Sequence, residues 1–170
     1  MPNTAADHDP VSLMEAALTR AAEQVGDITA PVIERLYARC PASRAHFAEL
    51  GSDKIGRLEA DMVENTLFAL MEWLTDGATI AINLGDTVPH HMAVLGIGVD
   101  AFAALVEETA GVVIDTIPTD RPAERAVWQR IRDEILEVVA SSAEWERDRL
   151  ALSPASGRSA AGGCPVHARA

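Results

Sequence analysis

From residue 11 to about residue 150, apolar side chains return every three or four positions, and no stretch sustains the alternation of a half-buried strand. Each segment therefore carries one apolar stripe, and the chain can build a core only by laying helix on helix. The expected class is all-α. Ser12-Leu13-Met14-Glu15 has the form of a capping box and predicts a helix bearing Leu13, Ala17, Leu18, Ala21 and Val25, stopped at Gly26. A second helix starts near Asp27 or Thr29, tolerates Pro31 in its first turn, buries Val32, Ile33, Leu36, Tyr37 and Cys40, and ends at Pro41. Residues 41–51 read as a turn-rich piece. The next helix starts at Ser52 or Asp53, places Ile55, Leu58, Met62, Thr66, Ala69, Leu70 and Trp73 on one side, and stops at Asp76-Gly77. Gly85-Asp86 is a turn signal, and residues 87–95 form a short or irregular helix. Two long helices follow, one striped by Val99, Phe102, Val106, Ala110, Val113 and Ile117. The other is striped by Val127, Ile131, Ile135, Val138, Ser142 and Trp145, with the corner at Pro118-Thr119-Asp120.

A chain of 170 residues with 48% hydrophobic and 24% charged residues has material for one ordinary domain and its core. We divide it into a flexible lead-in (1–10), a folded domain (11–152) and a Gly- and Ala-rich tail (153–170) expected to be disordered. The net charge of −12 argues against nucleic acid, because phosphate recognition needs clustered cations. No segment reads as a signal peptide or membrane span. The most apolar stretch, between Val99 and Ile117, is broken by Asp100, Glu107, Glu108 and Asp115. Cys40 and Cys164 are far apart and lack metal-ligand spacing, so the expected location is the reducing cytoplasm.

The chemistry-bearing stretch is Val88-Pro89-His90-His91-Met92, with Phe102 eleven residues after His91. Upstream, Phe47 follows Pro41 by six. A neutral imidazole aimed from a helix into a dry hollow, its second nitrogen hydrogen-bonded, is a suitable axial ligand for heme iron. The plainer reading makes His90 and His91 a solvated pair on a short helix. Metal-bundle and hydrolase patterns are missing: no paired Glu-x-x-His motifs and no G-x-S-x-G occur.

Six or seven helices, the Pro41-to-Phe47 corner, and a histidine just ahead of a long penultimate helix resemble the globin family. The segment Ile33-Glu34-Arg35-Leu36-Tyr37-Ala38-Arg39-Cys40-Pro41 is similar to the second helix of bacterial single-domain globins, and Trp128 sits where many globins carry a tryptophan. The resemblance covers residues 11–150. It implies a globin-like fold of six to eight helices around a heme b pocket, with His91 (His90 as fallback) on the iron. Phe47 would stack on the heme, with Ala69 and Phe102 beside it. Ile33 stands where bacterial globins that oxidise nitric oxide carry a tyrosine. The distal position falls on Asp61, Met62 or Asn65, depending on register. Arg57, with Arg44 and Lys54, would reach the propionates.

The function so implied is binding of a diatomic gas (oxygen, nitric oxide or carbon monoxide) for sensing, storage or redox chemistry. No catalytic residue is assigned. A nitric oxide dioxygenase or peroxidase-like side activity would need an external reductase, and the partners implied are the gas, a redox partner or a second copy. The alternative is a heme-free globin-fold sensor or interaction module. In the tail, Cys164-Pro165-Val166-His167 resembles a Cys-Pro heme-regulatory motif, and the thiol is also a candidate for disulfide exchange or oxidation.

Overall fold

Asp9, not Ser12, opens the first helix in the computed structural model, which describes residues 9–48 and 52–152. The Asp9 carboxylate accepts from the Ser12 backbone N–H at 3.1 Å and from the Ser12 hydroxyl at 3.0 Å. Pro10 occupies the first turn, where its missing N–H costs nothing, so α1 spans Pro10–Gln24 and the expected capping box gives way to an earlier cap. Asp27 accepts from the Thr29 N–H at 2.8 Å ahead of α2 (Thr29–Arg39). Residues expected as a turn-rich piece instead form α3 (Pro41–Ala48), because Pro41 is a good first residue of a new helix even as it ends the old one.

The largest departure from expectation is α4 (Ser52–Ala93), two helical arms joined at a bend where Asp76 leaves helical geometry (φ −141°, ψ 47°). The bend lies where the first arm was expected to stop, and the Asp76 side chain accepts from the Thr79 N–H at 3.4 Å to start the second. Beyond it, Gly85-Asp86 is not a turn: helix runs through both to Ala93, with Pro89 inside. Ile80, Leu84 and Val88, spaced four apart, are all buried. Burying three such side chains outweighs the roughly 1 kcal/mol that a glycine costs a helix interior. Trp73 ties the bend to the last helix, its indole N–H donating to the Glu134 carboxylate at 2.6 Å.

Helices α5 (Val99–Asp115) and α6 (Pro122–Leu152) complete an arrangement without strands among the described residues. α4 and α5 both pack on α6, α1 crosses α6, and α2 lies against α5. The main core joins Met14, Ala17 and Ala21 of α1 to Leu70, Ile80, Leu84 and Val88 of α4. Val106, Ala110 and Val113 of α5 and Trp128, Ile131, Ile135, Val139 and Ala143 of α6 complete it. A second cluster joins Ile28, Val32, Ile33 and Leu36 to Val63, Ala104, Leu105 and Val112. The α6 stripe drifts from the expected one. Val139, Ala143 and Glu146 turn inward, whereas Trp145 is 60% exposed.

Two polar groups brace the α1–α6 crossing. The Trp128 indole N–H donates to the Met14 carbonyl at 3.3 Å. The buried Glu124 carboxylate accepts from Arg20 at 2.6 and 3.3 Å and from Arg121 at 3.2 Å. Among the described residues no helix is long and apolar enough to cross a membrane.

Candidate functional site

The bend in α4 sets its two arms around a cavity of about 800 Å³, a volume typical of small-molecule and cofactor pockets. The first arm supplies Leu58, Asp61, Met62, Asn65, Thr66, Phe68 and Ala69. The second supplies Ile80, Asn83, Leu84, Asp86, Thr87 and His91. Leu36 of α2, Ser43, His46 and Phe47 of α3, and Ala101, Phe102, Leu105 and Val106 of α5 close it, with Ile135 of α6 reaching it from the core.

His91 stands on the last turn of the second arm, half-buried, with Nδ1 2.8 Å from the Thr87 carbonyl oxygen four residues earlier. A carbonyl only accepts, so Nδ1 carries the hydrogen and donates it, which leaves the Nε2 lone pair available. The ring also lies edge-on to Phe102, centroids 5.5 Å apart at 83°. Gly96, at a φ of +66°, turns the chain after α4 in the left-handed conformation that glycine favours. The Ile97 N–H then donates to the His91 carbonyl at 3.0 Å. Backbone and ring of His91 are therefore both held in place. His90 is exposed and outside the cavity lining, so the fallback ligand does not share the site.

Of the other sequence-predicted residues, Phe47, Met62, Asn65, Ala69 and Phe102 line the same cavity. All three distal candidates do so, but at different depths. Asp61 and Asn65 are exposed, whereas Met62 is half-buried and packs on the second core cluster. Ile33 does not join them. It is buried in that second cluster and borders a separate cleft with Tyr37 and Glu59, while Leu36, three residues on, takes the place on the cavity wall. Arg57 does not join them either: its side chain is 88% exposed and lies 4.0 Å from Asp61. Arg44 stacks on the Tyr37 ring, 6.0 Å from its centroid, and Lys54 is exposed. Among the described residues, no lysine or arginine lines the cavity.

Ile80, Leu84 and Thr87 share the His91 face of the second arm, and sequence reasoning missed them as site residues. Their spacing of four, three and four is helical and was readable, but it was obscured by taking Gly85-Asp86 as a turn. The chain's one tyrosine, Tyr37, faces away from the cavity; its hydroxyl donates to Glu59 at 2.6 Å. Burial, reinforced by that carboxylate, pushes the phenol well above its ordinary range.

The donor set limits what could be held here. Among the described residues, no cluster of three or more His, Cys, Asp or Glu side chains could hold a metal ion. A bare ion needs three or four protein donors. One imidazole on an apolar wall suits only a metal that brings most of its own ligands. Phe68 and Leu95, on the same lining, are 56% and 41% exposed, apolar surface that an occupant would cover. The Cys164-Pro165 pair and the rest of the tail lie outside the described residues, as does the lead-in up to residue 8. No protein-family description, curated protein or solved structure matches the chain.

Proposed function

We propose that this chain is a globin-like heme protein, with heme b between the two arms of α4 and His91 Nε2 as the protein ligand to iron. The observation that carries the reading is His91 itself. Its Nδ1–H is committed to the Thr87 carbonyl, its ring is steadied by Phe102, and it opens on a largely apolar cavity of about 800 Å³. That hydrogen bond is the outer-shell contact that fixes tautomer and ring orientation in histidine ligands. When bound, heme would supply an iron able to take up oxygen, nitric oxide or carbon monoxide.

This chain's residues would do the rest. Phe47 and Phe102 pack against flat apolar surface, while Leu36, Leu84 and Leu105 keep water from the interior wall. Asn65, at the mouth, offers an amide donor; Met62, deeper, offers only a thioether. No phenol reaches the cavity, since Ile33 lies off the wall and the Tyr37 hydroxyl is turned to Glu59. With no phenol on the lining, hydrogen bonding to a bound gas would be weak, which favours sensing, storage or redox exchange over efficient nitric oxide dioxygenation. Sustained turnover would draw electrons from a separate reductase.

The test is optical. Purified protein, as isolated or after adding hemin, should show a Soret band that shifts on reduction and again with carbon monoxide, and His91→Ala should lose it. A colourless, folded protein that takes up no hemin would overturn the reading in favour of a heme-free sensor or interaction module.

A further inference from the structure

Heme carries two carboxylates along one edge, and in a mostly apolar cavity that edge would be turned to the mouth, since burying a carboxylate is costly. Cations placed there would hold it firmly, because charge-assisted hydrogen bonds are the strong ones. Here the charge has the opposite sign. Among the described residues, the charged side chains on the lining are Asp61 and Asp86, and its two imidazoles belong to His46 and to His91, the proposed iron ligand. Asp86 is exposed and makes no ion pair among the described residues. Asp61 is offset by Arg57 at 4.0 Å, a pair so exposed that water screens most of it. Arg44 is turned onto Tyr37. The chain's net charge of −12 adds a background that disfavours the two heme carboxylates. The exposed rings and methyls of Phe68 and Leu95 leave the mouth unsealed.

We infer that the site holds heme exchangeably, with Asp61 and Asp86 setting the rate of release, so that heme itself is loaded and handed on. The inference rests on the heme reading above. His91 and the aromatic wall supply the attraction; the two carboxylates at the mouth oppose it.

The full chain loaded with ferric heme is mixed with excess apomyoglobin, and transfer is followed by absorbance at low and high sodium chloride. Salt should slow release, because it screens repulsion rather than attraction. Asp61→Asn and Asp86→Asn should each slow it by about two- to fivefold and together by roughly tenfold, with most of the salt dependence gone. Arg57→Gln should speed it, and Glu144→Gln, an exposed carboxylate on α6, should leave it unchanged. Both aspartates are exposed, so circular dichroism of the variants should match the parent. Release accelerated by salt, or unchanged in the double variant, refutes the inference while the heme reading stands. Failure to form a Soret band with hemin refutes both.

Discussion

Replacing His91 by alanine separates what this side chain gives the fold from what it gives a ligand. In the ligand-free chain the substitution removes the Nδ1–H to Thr87 hydrogen bond at 2.8 Å, a half-exposed contact within one helix. Its net worth is about 0.5–1.5 kcal/mol. The edge-on contact with Phe102 at 5.5 Å is lost as well, about 0.5–1.5 kcal/mol more. Alanine returns up to roughly 0.7 kcal/mol as the better helix former. The balance is a loss of about 1 kcal/mol, or a fall in Tm of about 2–4 °C for a chain of this size. Hemin at a hundred times its Kd stabilises the native state by about 2.7 kcal/mol, which raises Tm by roughly 5–10 °C. Thermal melts by circular dichroism, with and without hemin, should therefore show two parent curves well apart and two His91→Ala curves superimposed. In His91→Gly, free imidazole should restore part of the Soret band. An alanine variant that keeps both the band and the hemin-induced shift would show that the iron ligand lies elsewhere. A ligand-free Tm lowered by more than about 10 °C would show that His91 is chiefly a packing residue.

Other outcomes follow from polar groups outside the cavity. The Tyr37 phenol is held above its ordinary range first by burial and then by the Glu59 carboxylate, so its neutral form favours the folded state. That stabilisation is present below the unfolded value of about 10 and is lost as pH rises past it. Tyrosinate absorbance should stay flat through about pH 10 until the chain unfolds, and Glu59→Gln should bring ionisation down; titration in the folded parent at the ordinary pH would contradict this. Glu124 is buried between Arg20 and Arg121, and Glu124→Ala, which removes its charge-assisted hydrogen bonds while both guanidinium groups still reach water, should cost about 1–3 kcal/mol in urea unfolding. Trp128→Phe should cost about 1–3 kcal/mol, since it removes the indole N–H bond to the Met14 carbonyl and leaves space in the core. The Asp27 and Glu146 carboxyls lie below their ordinary range, Asp27 because the Thr29 N–H donates to it and Glu146 because Arg149 does. Such groups stabilise above the unfolded value of about 4 and lose that effect as pH falls through the folded one. Urea midpoints should drop on acidification below about pH 4, and less steeply in Glu146→Gln.

The places where reading and structure part share a cause. Gly85-Asp86 has turn chemistry, yet Ile80, Leu84 and Val88 are buried on one face and hold the helix through it. Pro41 ends α2 as expected, but the residues after it coil into α3 because proline also suits a first turn. Ser12 was a sound cap until Asp9 and Pro10 offered an earlier start. In each case a local preference worth about 1 kcal/mol met a competing cap or a packing gain of the same size or larger.

What the amino-acid order determined unaided is the class of element and its inward stripe, because a period of 3.6 residues is a property of the backbone and is written directly into the spacing of apolar side chains. It also carried Phe47, Met62, Asn65, Ala69, His91 and Phe102, which the fold gathers around one cavity. Tertiary packing alone decided how far each helix is turned about its own axis. That rotation put Leu36 rather than Ile33 on the cavity, sent Trp145 to solvent while drawing Glu146 inside, and left the mouth lined by aspartates with Arg57 directed outward. Rotation is set by which ridges of a neighbouring helix a stripe meets, and no pattern within one segment records its neighbour.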